Sequence, residues 1–172
     1  MIEYKECDIT SISRGIIVHG VNCQGVMGAG VAQALRDKFP MIFDPYRNET
    51  LNHLGKPAEL LGRCIVVEVA PELYVVHAYV QENYGRDGRK YVSYDAIDKC
   101  FERFMQWRIG KGLEYLNIYF PAIGSGLGGG NWDVIKTIIN HRLGKETGYC
   151  CIMQRSDPLS QHQNTDTQTS HQ

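Results

Sequence analysis

The sequence lacks several features that would each indicate a class of function. Acidic and basic residues nearly balance, with a formal net charge of −1, and no basic stripe indicates a nucleic-acid surface. No apolar run approaches the roughly 20 residues that span a bilayer. The amino terminus also lacks the charged-then-apolar pattern of a signal peptide. We therefore expect a cytoplasmic protein that binds no membrane, and no nucleic-acid polymer unless the polymer is a modified substrate.

Cysteine occurs six times, but no two cysteines form a C-x-x-C pair. That spacing is typical of zinc sites and of redox motifs. Four of the cysteines lie inside apolar stretches, where cysteine commonly behaves as a small hydrophobic residue. No cluster of histidine and aspartate has the spacing of metal ligands. The sequence therefore predicts a reducing compartment, no bound metal and no cofactor.

Apolar runs alternate with helical patterns along most of the chain. The predicted strands are 2–6, 15–21, 64–69, 74–80, 115–120 and 149–153. The predicted helices are 31–39, 41–54, 93–111 and 132–143. The third and fourth strands are close enough to form a hairpin. The pattern predicts an α/β domain over residues 1–155, a three-layer α/β/α sandwich with a mixed, mostly parallel central sheet. Residues 156–172 contain a single aliphatic residue and are predicted to form a disordered polar tail.

Two glycine-rich loops carry the strongest functional signal. One follows the strand at 115–120 and has five glycines between Gly124 and Gly130. The other covers residues 22–30, after the strand at 15–21. A glycine-rich turn between a strand end and a helix start exposes several backbone N–H groups in one concavity, which can hold phosphate without a lysine. Two such loops predict a ligand with more than one phosphate.

The loop at 22–30 is the first glycine loop along the chain, and the loop at 124–130 is the second. The second glycine loop also contains the G-x-G-x-x-G pattern of dinucleotide-binding folds, at Gly124, Gly126 and Gly129. That fingerprint includes an acidic residue about 20 positions later, which holds the ribose hydroxyls. The strand that follows ends instead in Met153, Gln154 and Arg155. The pattern alone is therefore weak evidence for hydride transfer.

Together with Cys7-Asp8-Ile9-Thr10, the two loops resemble the macro domain family of ADP-ribose-binding α/β/α modules. The resemblance covers about residues 1–154. It implies that Asp8 accepts a hydrogen bond from the adenine amino group, that Asn22 contacts the distal ribose, and that both loops hold the diphosphate. The ligand-binding residues that it implies are Asp8, Ile9, Val21, Asn22, Gly28, Ala29, Gly30, Val31, Ile123, Gly124, Ser125, Gly126, Leu127 and Gly128.

Within the family, the runs at 19–25 and 60–65 are similar to the compact yeast-type branch of ADP-ribose 1″-phosphate phosphatases. That similarity implies release of phosphate from C1 of the distal ribose, with His19 as the matching polar residue. Histidine suits acid–base catalysis because its ordinary pKa lies near neutrality. Asp87 is a second catalytic candidate, and Arg86 or Arg89 in the same loop is a candidate phosphate contact.

Other interpretations of these residues stay open. A histidine in an apolar strand is commonly a core residue, and Asp87 with its neighbouring arginines also fits a solvated loop. The resemblance allows an ADP-ribosyl hydrolase acting on protein or nucleic acid, or a non-catalytic ADP-ribose reader. The lysine and aspartate of one hydrolase branch are not matched, since Gly128 stands at the aspartate's place. We expect a monomer whose partner is a small molecule, ADP-ribose or its 1″-phosphate.

Overall fold

The computed structural model describes residues 1–153, so the predicted tail and the last two residues of the predicted domain lie outside the described residues. Within that range the strands are β1 (Ile2–Glu6), β2 (Gly15–Asn22), β3 (Cys64–Ala70), β4 (Leu73–Gln81), β5 (Ile118–Phe120) and β6 (Gly148–Ile152). The α-helices are α1 (Gly30–Lys38), α2 (Phe43–Leu51), α3 (Tyr94–Gly110) and α4 (Trp132–Leu143).

The strands form one sheet in the order β1-β6-β5-β2-β4-β3. All neighbours in it are parallel except β3, which runs antiparallel to β4. The hairpin and the mixed, mostly parallel sheet are therefore confirmed. Because parallel strands end at the same edge, the loops that follow β2, β4 and β5 meet there.

Two hydrophobic cores lie on opposite faces of this sheet, as the alternation of side chains along β2 illustrates. Ile16 and Val18 face the core that contains Phe101 of α3. Ile17 and Val21 face the other core, with residues of α1 and α2. Each fully buried side chain of this size contributes about 1.5–3 kcal/mol of hydrophobic stabilisation. The predicted α/β/α sandwich is confirmed.

Local signals at the helix ends explain where two helices start. The Ser93 hydroxyl accepts a hydrogen bond from the Ala96 amide at 3.2 Å and so caps α3. The Asn131 side chain caps α4 in the same way, accepting from the Asp133 amide at 2.9 Å. Proline at position 45 lies in the first turn of α2, where its missing N–H costs no helical hydrogen bond.

No helix among residues 1–153 is long and apolar enough to cross a bilayer.

Strand β5 is shorter than the predicted 115–120, and the reason is a buried arginine. Arg108 of α3 is 3% exposed, and its guanidinium donates to the carbonyls of Glu114 at 2.6 Å and Leu116 at 3.0 Å. It also pairs with the carboxylate of Glu146. The Glu114 and Leu116 carbonyls belong to the turn between α3 and β5, and their hydrogen bonds to Arg108 hold them out of the sheet. Strand pairing therefore begins only at Ile118.

Candidate functional site

A cavity of about 480 Å³ opens at the carboxyl ends of β2, β4 and β5. This is the edge at which open parallel sheets usually bind ligands, and the volume is typical of small-molecule sites. Both glycine loops and the β4–α3 loop line it. The predicted site residues among the lining are His19, Val21, Asn22, Gly28, Ala29, Gly30, Val31, Ile123, Gly124, Gly126, Leu127 and Gly128.

The remaining predicted site residues do not line this cavity. Asp8 caps a short 3-10 helix, accepting from the Thr10 amide at 2.9 Å and hydroxyl at 2.8 Å. These hydrogen bonds lower the pKa of the Asp8 carboxyl. Ile9 packs in the core on the α1 and α2 face. The Ser125 hydroxyl donates back to the Ala122 carbonyl at 2.7 Å.

Main-chain amides without acceptors are the most prominent polar feature of the second glycine loop. The loop folds back on itself, because the Gly129 amide donates to Gly126 at 3.0 Å and the Gly130 amide donates to Gly124 at 2.8 Å. No acceptor among the described residues pairs with the amides of Gly126, Leu127 and Gly128. Unpaired amides clustered in one turn form an anion-binding concavity.

The first glycine loop presents the same feature to the same cavity. It leads into α1, whose first N–H groups have no intrahelical acceptor. Among the described residues, no acceptor pairs with the amides of Gly28, Ala29 and Gly30. The positive end of the helix dipole adds a partial charge at this point, which favours an anion.

Close packing explains why the second loop needs glycine at some positions but not at Gly126. Gly124 has φ +74°, a conformation that side-chain-bearing residues rarely adopt. A Cβ on Gly128 would lie 2.8 Å from the Gly124 carbonyl oxygen. At Gly126, by contrast, a Cβ would meet no protein atom within 4 Å. Gly126 lines the cavity, and a side chain added there would not collide with the protein.

Asn22 organises the first loop and retains little capacity for a ligand. Its Oδ1 accepts from the Gln24 amide at 3.0 Å and the Tyr46 hydroxyl at 2.8 Å. Its Nδ2 donates to the Val26 carbonyl at 2.8 Å, which leaves one N–H of the amide group. Sequence reasoning missed Tyr46, since no local pattern links a residue of α2 to the end of β2.

His19 belongs to a buried chain of hydrogen bonds. Its Nε2 lies 2.7 Å from Nδ1 of His77, whose Nε2 lies 2.8 Å from the Ile42 carbonyl oxygen. A carbonyl only accepts, so we assign His77 Nε2 as a donor, its Nδ1 as an acceptor and His19 Nε2 as a donor. The Nδ1 atom of His19 is then an acceptor, and it has no partner among the described residues.

Burial keeps both imidazoles neutral. It lowers the pKa of His77 to about 4. Burial, reinforced by the neighbouring His77, lowers the pKa of His19 well below its ordinary value. His19 is only 1% exposed, so the lining reaches it at the floor of the cavity rather than at its mouth.

Of the three polar residues that the sequence placed in the β4–α3 loop, Arg86, Asp87 and Arg89, only Arg86 lines the cavity. Asp87 lies outside the cavity lining, and its carboxylate accepts from the Tyr91 hydroxyl at 2.8 Å and the Arg89 amide at 3.2 Å. The Tyr91 hydrogen bond is the main cause that lowers the pKa of Asp87. Tyr84 and Arg86 line the cavity, whereas Arg89 does not.

Cys23 and Trp132, which lie in or next to the glycine loops in sequence, have structural roles. Cys23 is buried, and burial raises the pKa of its thiol to about 12. The thiol therefore stays protonated at neutral pH, and a thiol is a poor nucleophile. Trp132 donates to the Tyr4 hydroxyl at 2.9 Å and lies outside the cavity lining.

The family model for the Macro domain matches residues 18–139, more than half of the chain. An uncharacterised 17.5 kDa protein of Enterobacteria phage T4 is 32% identical over 145 residues, 81% of this chain and 88% of that protein. An ADP-ribose 1″-phosphate phosphatase of Scheffersomyces stipitis is 36% identical over 73 residues, 39% of this chain and 42% of that enzyme. The match therefore spans less than half of that phosphatase.

A solved structure supports the same relationship. A macrodomain protein from Streptomyces coelicolor superposes with a TM-score of 0.69 and 28% identity, covering 87% of this chain and 98% of that chain. The superposition covers the α/β sandwich described above. From the family match and the shared fold, we conclude that this chain is a member of the macro domain family, whose members bind or process ADP-ribose.

Proposed function

We propose that this protein binds ADP-ribose in the cavity and removes phosphate from ADP-ribose 1″-phosphate. The observation that carries the proposal is the pair of amide rows at Gly28–Gly30 and Gly126–Gly128, unpaired among the described residues and lining one cavity. Within the described part of the chain, no aspartate or glutamate lines it. The cavity is therefore suited to an anionic ligand. The name of the partly matching Scheffersomyces stipitis enzyme supports the specific activity.

The expected binding energy is sufficient for a diphosphate. A hydrogen bond to a charged group contributes about 1.5–3 kcal/mol, and the amino terminus of a helix adds roughly 0.3–1 kcal/mol for an anion. Because the donors are main-chain groups held by the fold, little ordering is needed when the ligand arrives. Preorganised donors of this kind also stabilise the charge that develops on a phosphoryl group.

His19 is our candidate for accepting a proton from the attacking water. It is the one histidine in the cavity lining, and its neutral state leaves Nδ1 as an open acceptor. A proton taken there would be stabilised by donation from Nε2 to His77, which in turn donates to Ile42. Burial opposes the imidazolium form, so a slow enzyme is expected. Asp87 stays a predicted second catalytic residue, although its carboxylate is engaged by Tyr91 and Arg89.

A second candidate function is a reader that binds ADP-ribose without turnover. Two observations favour it: the cavity lining contains no carboxylate, and His19 is almost completely buried. A hydrolase normally gains about 10²- to 10⁴-fold from a positioned acid or base. A site that lacks an accessible one would still bind through its main-chain amides.

The two candidates differ in whether ADP-ribose 1″-phosphate is consumed. Purified protein is incubated with this compound, and inorganic phosphate and ADP-ribose are quantified. We expect equal amounts of both, with kcat reduced at least tenfold in His19→Ala while the Kd for ADP-ribose changes less than threefold. The control is His141→Gln, an exposed histidine of α4.

Three outcomes separate the alternatives. Unchanged turnover in His19→Ala would remove His19 from the mechanism. Tight ADP-ribose binding with no phosphate release would favour the reader. Loss of label from ADP-ribosylated protein or DNA, without phosphate release from the small molecule, would favour an ADP-ribosyl hydrolase.

A further inference from the structure

Among residues 1–153, Arg86 is the one charged residue that lines the cavity. The other cations of its loop have partners: Arg89 Nε lies 3.2 Å from the Asp87 carboxylate, and Lys90 Nζ lies 4.0 Å from the centre of the Tyr94 ring. For Arg86, no ion pair or hydrogen bond is found within residues 1–153. Its guanidinium is therefore available to a ligand.

The loop that carries Arg86 is fastened to the second glycine loop. The amides of Tyr91 and Val92 both donate to the Gly128 carbonyl, at 2.8 and 3.1 Å. The Tyr91 hydroxyl also lies so close to Gly85 that a side chain at Gly85 would collide with it. Asp87 completes the arrangement by accepting from the Tyr91 hydroxyl. These contacts fasten the segment that includes Arg86 to the second glycine loop, and Arg86 and that loop line the same cavity.

His19 and Arg86 both line the cavity, His19 from β2 and Arg86 from the loop that follows β4. Strands β2 and β4 are adjacent and parallel, and His19 pairs with His77 in their register. The loops that leave the two strands therefore start from neighbouring strands at the same edge of the sheet. A ligand that fills the cavity would therefore contact both His19 and the loop of Arg86.

We infer that Arg86 is the specificity-determining residue for a terminal phosphomonoester on the distal ribose. The inference rests on the proposed ligand site. In this arrangement the glycine loops hold the diphosphate common to every ADP-ribose derivative, and Arg86 pairs with the additional phosphate. The guanidinium suits this role because it is always charged and presents its donors in a planar fork that matches two phosphate oxygens.

The test compares two ligands in four proteins. The ligands are ADP-ribose and a hydrolysis-resistant phosphonate analogue of ADP-ribose 1″-phosphate. The proteins are the wild type, Arg86→Gln, Arg86→Lys and the matched control Arg89→Gln, which removes a cation from the same loop but outside the cavity lining. Calorimetry gives the ratio of the two dissociation constants for each protein.

We expect the wild type to prefer the phosphonate, and Arg86→Gln to reduce that preference at least tenfold. Arg86→Lys should keep part of it, and Arg89→Gln all of it. The Kd for ADP-ribose should stay within threefold throughout. An unchanged ratio in Arg86→Gln, or an equal fall in Arg89→Gln, would overturn the inference.

The binding experiment and the phosphate-release experiment test the Arg86 inference and the phosphatase proposal separately. If the wild type releases no phosphate but Arg86→Gln lowers the ratio, the phosphatase proposal fails and the inference stands. If the wild type hydrolyses ADP-ribose 1″-phosphate and the ratio is unchanged in Arg86→Gln, the inference fails and the phosphatase proposal stands.

Discussion

Replacement of Gly126 by alanine adds one methyl group at a position that lines the cavity, without a clash with the protein. A Cβ at this position meets no protein atom within 4 Å, so we expect the free energy of unfolding to change by less than about 0.5 kcal/mol, as for ordinary surface substitutions. The methyl group would occupy space beside the unpaired amides of Leu127 and Gly128. A phosphate displaced from one charge-assisted hydrogen bond loses about 1.5–3 kcal/mol, which corresponds to a rise in Kd of roughly 10- to 150-fold.

Calorimetric titration with ADP-ribose checks this prediction, and thermal unfolding without ligand checks that the variant is folded. Gly110→Ala is the matched control: its Cβ also meets no atom within 4 Å, but it lies at the end of α3. The control should bind ADP-ribose like the wild type and be at least as stable, since alanine is favoured over glycine in helices. An unchanged Kd in Gly126→Ala would refute the view that the second loop holds the ligand through its backbone.

Two further predictions concern stability. Because burial lowers the pKa of His77 to about 4 and also lowers that of His19, the unfolded chain binds more protons between pH 6.5 and 4. Stability should therefore fall as pH decreases through that window, by up to about 3 kcal/mol per pH unit for two histidines; urea unfolding measures this, and a flat profile would contradict it. Arg108→Ala should cost about 3–5 kcal/mol, because it leaves a carboxylate and two carbonyls without their donor. Arg14→Ala, which removes an exposed ion pair with Glu72, should cost less than about 1 kcal/mol by the same assay, and equal losses would contradict the assigned role of Arg108.

The parts of the fold that depend on local signals could be predicted from the sequence. Helix α3 combines a periodic apolar face with a serine at its cap, and both signals lie within one segment. The start of β5 could not be predicted, because Tyr115 and Leu116 have the composition of a strand. Their exclusion depends on Arg108, which reaches the Leu116 carbonyl only after α3 has packed on the sheet.

The candidate site also has parts that the sequence predicts and parts that it does not. Both glycine loops could be predicted as phosphate-binding segments, because glycine between a strand and a helix is a local pattern. The partners of side chains could not, because they come from distant segments. The hydrogen bond between His19 and His77 joins two strands 58 residues apart in sequence. The sequence also cannot distinguish Arg86 from Arg89, whereas the structure directs only Arg86 to the cavity.

The central claim is that main-chain amides of the two glycine loops bind the phosphates of ADP-ribose. An NMR titration of ¹⁵N-labelled protein with ADP-ribose tests it residue by residue. We predict that the amide protons of Gly28, Ala29, Gly126 and Leu127 shift downfield to saturation, while that of Gly110 does not move. Saturating ADP-ribose that leaves the four loop amides unshifted would contradict the claim.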